Sequence, residues 1–410
     1  MRRDADHRAS DMTPYVPAGS ALEVLRVFLK LGISSFGGPI AHLGYFRAEF
    51  VERRQWLDEH SYADLVALCQ FLPGPASSQT GFAIGLLRAG YRGALAAWMG
   101  FTLPSALALV LFAHGAAALG GPFGLGLLHG LKLLAVAIVA QAVWGMAQAL
   151  CPDRQRATVA LLSALIILFS GAPSTQLGAI LLGGIAGLAF CRQLPIPPGG
   201  ALTLPVSRPA GYICLSAFFI LLMGLPILHG LMPSLTLGLF DAFYRAGALV
   251  FGGGHVVLPL LRDAVVTPGW LSDDAFLAGY GAAQAVPGPL FTFAAYLGSL
   301  IQPTCFGLMG ALVGLLGIFL PGMLILLGTL PFWNDLRKRV TAQAAMRGVN
   351  AAVVGILGAA LYDPVWTSTV QTAADVGIAL IGFVLLTSWR APPLLVVLIS
   401  ALGGIIVTMT

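Results

Sequence analysis

The chain has 410 residues, 58% of them hydrophobic and only 10% charged, with a formal net charge of +5. An average soluble domain is about 25% charged, so a mean hydropathy of +0.87 excludes a water-soluble chain and points to an all-α polytopic membrane protein set in the lipid bilayer. The same balance leaves no role for nucleic acid as a partner.

Residues 1–20 are polar and of mixed charge, which reads as a cytoplasmic N-terminal tail and not as a signal peptide. A first repeat, 21–191, carries apolar segments at about 21–46, 62–87, 93–118, 124–150, 157–171 and 176–190. Its first segment bears Lys30 and then Phe36-Gly37-Gly38-Pro39 with His42 close behind. Its second bears Gln70, Pro73-Gly74-Pro75 and the polar run Ser77, Ser78, Gln79 and Thr80. A Pro-rich linker, 192–210, leads to an extra apolar segment at 211–229. A second repeat, 234–410, then presents six more segments, with Arg245, Phe251-Gly252-Gly253 and His255 in the first, and Gln284 and Pro287-Gly288-Pro289 in the second.

The two repeats correspond motif by motif. "FLKLGISSFGG" at 28–38 matches "FYRAGALVFGG" at 243–253, which pairs Lys30 with Arg245. Trp56-Leu57 matches Trp270-Leu271, and the two Pro-Gly-Pro motifs match next. "GALAAWMGFTLPS" at 93–105 matches "GALVGLLGIFLPG" at 310–322, and Lys132 falls on Asn350. Six segments, one extra and six again turn the second copy upside down, an arrangement that recurs in transporters with the site at the repeat interface.

Arginine counting favours re-entrant segments at the FGG and PGP motifs, giving nine spans, because Arg47, Arg53, Arg54, Arg88, Arg337, Arg347 and Arg390 then share the cytoplasmic side. Arg262 alone lies outside, beside Asp263. A tilted, Pro-kinked span is the alternative at each motif.

Pro starts a helix readily, and Gly supplies the freedom to break the one before it. Each break therefore exposes free N–H groups with about half a positive charge. Four such starts near the midplane would suit a dianion. Lys30 has no acidic residue one turn away and is the better charged ligand candidate. Arg245 has Asp241 at i−4, so a local ion pair competes with ligation. Gln70 and Gln284 stand ready to bond carbonyls freed by the breaks, and His42 and His255 could relay a proton. Five scattered cysteines and no HExxH, Walker or Gly-x-Ser-x-Gly motif give no metal, cofactor or enzyme signature.

The motifs resemble the chromate ion transporter family, whose two-domain members carry FGGP…H in the first half, FGGGH…LP in the second and PGP in both. Here these are Phe36-Gly37-Gly38-Pro39…His42, Phe251-Gly252-Gly253-Gly254-His255…Pro259, Pro73-Gly74-Pro75 and Pro287-Gly288-Pro289. The family often has Asn after the first PGP, where this chain has Ala76. The resemblance implies a bacterial inner-membrane exporter of chromate that confers chromate resistance. A sulfate or other oxyanion carrier, an exchanger, or an anion channel are the rival readings, and a homodimer is left open.

Overall fold

The computed structural model describes residues 19–118, 121–170, 175–192, 205–251, 253–301 and 307–409. Gly252, Cys305, most of the 1–20 tail and most of the 192–210 linker lie outside the described residues. All regular structure among the described residues is helical.

Helix α1 (Ala21–Ser34) starts where Ser20 accepts the Glu23 N–H and buries Val24, Val27, Phe28 and Leu31 along one stripe. It stops at extended Ser35, and left-handed Gly37 (φ 103°) opens α2 (Gly38–Phe46), with Pro39 in its first turn. A π-helical turn, Arg47–Arg53, follows. Asp58 caps α3 (Glu59–Phe71). The first PGP motif separates α3 from α4 (Ala76–Ala118), and α4 is itself interrupted at Ala89 and Gly90. Then come α5 (Gly121–Leu150), α6 (Arg154–Ser170), α7 (Thr175–Phe190) and the extra helix α8 (Arg208–Leu231).

The second half repeats the plan. Helix α9 (Leu235–Ala248) breaks at the glycines. A 3-10 turn, Gly254–Val256, runs into α10 (Val257–Val265), and Ser272 caps α11 (Asp273–Ala285). After the second PGP, a 3-10 turn, Leu290–Thr292, leads to α12 (Phe293–Ile301). The remainder is α13 (Leu308–Thr329), the short α14 (Trp333–Leu336), α15 (Val340–Ala360), α16 (Ala373–Thr387) and α17 (Pro393–Met409).

The repeat seen in the sequence is a repeat of packing. Gly32 meets the Gly100 carbonyl and Phe101 backbone, and its counterpart Gly247 meets the Ile318 carbonyl and Pro321. Gly93 lies on the Gly85 carbonyl, and Gly298 on the Gly310 carbonyl. The halves also interlock: α17 packs on α5 where Gly130 crosses Ser400, and α7 packs on α15 where Gly187 crosses Gly348. Such backbone-to-backbone crossings require small residues, the usual way helices associate in lipid.

In the first half, all four hairpin ends meet at one face. Glu23 at the start of α1 pairs with Arg88 (3.2 Å) and with Arg54 (4.0 Å), while Arg47 pairs with Glu59 at the start of α3 (2.8 Å). Trp56 lies under the Arg54 and Arg88 guanidiniums, 5.5 and 4.8 Å from their centres. Burial pushes the Glu49 carboxyl up, but hydrogen bonds from Arg54 and Arg53 outweigh it and hold the group below the ordinary carboxylate value. Beyond Gly90, α4 crosses to the other end, where α5 begins. There Arg262 forks onto Asp273 (2.7 and 3.0 Å), Lys132 reaches Asp274 (2.7 Å) and His129 reaches Asp375 (2.7 Å).

Five helices among the described residues are long and apolar enough to cross a membrane: Ala76–Gly115, Gly121–Leu150, Arg208–Leu231, Leu308–Leu336 and Val340–Trp366. The sequence reading expects nine spans. The remaining four of that set, α6, α7, α16 and α17, have 15 to 17 residues, below the ~20 that a bilayer core of ~30 Å asks of a straight helix.

Candidate anion site at the crossing of the broken helices

The breaks of the two halves are tied to each other by exchanged backbone hydrogen bonds. The Gly74 N–H donates to the Val250 carbonyl (2.7 Å), and the Gly288 N–H donates to the Ser35 carbonyl (2.9 Å). Val250 and Ser35 are repeat equivalents, as are Gly74 and Gly288, so one contact is made twice, once from each half to the other. Both glycines are left-handed, with φ of 116° and 103°. A Cβ at Gly74 would stand 3.0 Å from the Gly322 Cα, and one at Gly288 would stand 3.2 Å from the Phe101 carbonyl. Gly is thus needed at both positions for conformation and for space. This answers why Pro-Gly-Pro sits inside an apolar segment: it ends one helix, starts another and lets the other half approach.

Gln79 fastens the first of these turns. Its Nε2 donates to the carbonyls of Pro73 (2.9 Å) and Gly322 (2.8 Å). The sequence reading assigns carbonyl bonding to Gln70 and Gln284; Gln79 is the side chain that does it here. Gln70 instead lines a cavity.

That cavity, about 1410 Å³, opens between the halves at the face bearing Arg337, Arg347 and Arg390. Its wall includes Gly37, Gly74, Ala76, Gly253, Gly254 and His255. It therefore reaches three of the four breaks: the starts of α2, of α4 and of the turn into α10. The second PGP motif, Pro287-Gly288-Pro289, is absent from the wall and contributes through its bond to Ser35. Three convergent helix starts supply N–H donors and about 1.5 positive charge equivalents.

Polar groups cluster behind the start of α4. Ser77 and Ser78 are buried, and His42 is fully buried with Nδ1 3.4 Å from Ser77 Oγ and its ring edge-on to Phe101. Ser35 Oγ, Ser78 Oγ and His42 Nε2 are buried with no hydrogen-bond partner among the described residues, and these residues lie behind the cavity wall, not on it. In the second half, His255 Nδ1 meets the Tyr280 hydroxyl at 2.8 Å, and Gln284 lies one turn beyond Tyr280.

Lys30 lies on the exposed side of α1, in line with Leu22, Arg26 and Ile33, and does not line the cavity. Arg245 is half-exposed, pairs with Asp241 at 2.9 Å and is likewise outside it. The repeat-equivalent cations thus share a surface placement, away from the breaks. Instead, the cavity carries a buried pair linking the halves. Asp64 of α3 accepts from Arg337 (2.8 Å) and from Trp333 Nε1 (3.4 Å).

Comparison with known proteins follows the same division of the chain. The family model described as "Chromate transporter" matches residues 22–188 and 237–405. A probable chromate transport protein of Synechococcus elongatus is 29% identical, over 95% of this chain and 96% of its own. A chromate transport protein of Pseudomonas aeruginosa is 28% identical, over 97% and 94% respectively. An uncharacterized transporter of Bacillus subtilis, YwrB, is 36% identical over 30% of this chain and 61% of its own. No solved structure matches the chain.

Proposed function

Because the chain belongs to the chromate transporter family, we propose that it is a secondary transporter carrying chromate out of the cytoplasm, and that it thereby confers chromate resistance. The observation that supports this best is the end of the cavity, where the starts of α2, of α4 and of the turn into α10 turn backbone N–H donors toward one space. A tetrahedral dianion with four acceptor oxygens suits such a site. The arginine-rich face is the cytoplasmic one by the positive-inside rule. On that reading the chain sits in a bacterial inner membrane with its N-terminus inside. The hairpins 21–54 and 59–88 are then re-entrant from the cytoplasm, and the cavity faces inward.

Export needs no coupling ion. A dianion leaving a cell with an inside-negative potential gains about 4.6 kcal/mol per 100 mV, from ~2.3 per charge. At about 1.4 kcal/mol per tenfold this sustains a gradient of roughly a thousandfold.

The test is radiolabelled chromate uptake into inside-out vesicles, with sulfate as competitor and with the potential and pH gradient collapsed separately. Saturable uptake that fails with the potential supports an electrically driven exporter. Transport of sulfate without chromate keeps the anion site and overturns the substrate. Flux that never saturates supports a channel.

A further inference from the structure

The two faces of the molecule are related by the internal repeat, yet they differ in one respect. On the face opposite the arginines, α11 packs directly on α5. Gly281 lies against the Leu131 carbonyl with no room for a Cβ, and Lys132 reaches Asp274 across the seam. Helix α3 is the repeat equivalent of α11: both have 13 residues, and they start at Glu59 and Asp273. Helix α15 is the equivalent of α5. The counterparts of the seam residues are Ala67 for Gly281, Val349 for Leu131, His60 for Asp274 and Asn350 for Lys132. On the arginine-rich face these helices are not sealed. His60, Ala67 and Asn350 all line the cavity. One contact, made on one face, is open on the other.

We infer that the anion leaves along the seam between α5 and α11, that Lys132 is the cation lining this exit, and that the seam opens as α3 closes on α15. The two halves repeat the same motifs in the same order, and α1 and α9, α2 and α10, and α3 and α11 match in length (14, 9 and 13 residues), so the conformation that one half adopts is available to the other. Exchanging the two conformations closes the open face and opens the closed one. In the exchanged state Ala67 approaches Val349 less closely than Gly281 approaches Leu131 here, because a Cβ at Gly281 would collide with the Leu131 carbonyl oxygen and Ala67 carries a Cβ. Lys132, freed from Asp274, then presents an ammonium to a departing oxyanion. Its counterpart Asn350 is neutral, so the ion pair holds the far face shut while the near face has no equivalent clasp. The asymmetry favours the inward-open state at rest. This inference rests on reading the cavity as the way in to a transport site.

Two measurements test it. The chain contains three lysines, Lys30, Lys132 and Lys338. In right-side-out vesicles carrying the native chain, an impermeant amine-reactive ester added outside is read by mass spectrometry at each. Lys132 acylation is expected to rise severalfold when cytoplasmic-side sulfate or chromate is supplied, while Lys338 stays unmodified. In a chain whose five native cysteines are replaced by alanine, Ala67→Cys with Val349→Cys is oxidised. The disulfide is expected to form, to abolish uptake until reduced, and to raise Lys132 acylation to its maximum without any anion. A Lys132 that never reacts, or reacts equally with the disulfide closed and reduced, overturns the exit path. The disulfide readout needs no substrate, so exposure of Lys132 in a chain that carries no oxyanion would refute the chromate reading and keep the path. Chromate transport with neither disulfide nor exposure would do the reverse.

Discussion

Arg337 and Asp64 lie 273 residues apart in sequence and form the ion pair that joins α3 of one half to the segment after α14 of the other. Their side chains are 14% and 4% exposed, so the pair is buried, but unequally. Arg337→Gln leaves the Asp64 carboxylate with no charged partner among the described residues and only the 3.4 Å bond from Trp333, its Oδ2 being already without a bond. Breaking a buried pair in this way costs about 3–5 kcal/mol, a large share of the ~5–15 kcal/mol that holds a folded protein together. Asp64→Asn leaves a guanidinium that cavity water can solvate, so the expected loss is smaller, about 1–3 kcal/mol. The double variant, having neither charge, should recover at least ~2 kcal/mol of the summed losses. Equilibrium unfolding in mixed micelles, followed by tryptophan fluorescence, measures all three. Glu52→Gln, at an exposed pair with Arg47, serves as the control and should cost no more than ~1 kcal/mol. If the double variant loses as much as both single variants together, the pair is not coupled and the account of how the halves are held is wrong.

Gly74→Ala and Gly288→Ala each force a Cβ into left-handed backbone, at about 1–2 kcal/mol, and into contact with the facing helix. Both should abolish vesicle uptake while membrane insertion persists. Retained uptake in either would show that the crossing tolerates spreading. Lys30→Ala should leave uptake within about twofold of the parent, since Lys30 lies outside the cavity; loss of uptake would return it to the site. Acid should weaken the arginine-rich face. The contribution of Glu49 is fully present above its unfolded pKa of about 4.3 and is lost as pH falls through its lower folded value. A Glu49→Gln variant should therefore show a flatter decline in melting temperature below that pH than the parent.

Much of the architecture is written in the sequence because helix breaks in lipid need specific chemistry. Gly and Pro at 37–39, 73–75, 252–253 and 287–289 mark interruptions that an apolar run would not otherwise have, and their recurrence in order marks the repeat. The faces of the helices are less legible. In a soluble helix a polar stripe points to water, but a membrane helix is apolar toward both lipid and protein. Lys30 therefore reads as a buried ligand although its stripe, with Leu22 and Ile33, points away from the other helices. Gln70 and Gln79 are equally good amide donors on paper. Only the approach of Gly322, 243 residues downstream, decides that Gln79 is the one that fastens the turn. The same distance hides Asp64 and Arg337, neither of which carries a local motif. Lys132 was visible as a cation with a neutral counterpart, but its meaning depends on which face is shut.

The exchanged bonds between Gly74 and Val250 and between Gly288 and Ser35 mean that neither half is self-sufficient. Alone, each would carry a bare amide at its PGP turn and a bare carbonyl before its FGG turn, in a medium with no water to solvate them. Cutting the chain within the 192–210 linker would thus yield two pieces that seek each other. Their recombination when made from separate messages would be driven from the centre of the molecule outward, and a piece made without its complement would be a substrate for proteolysis.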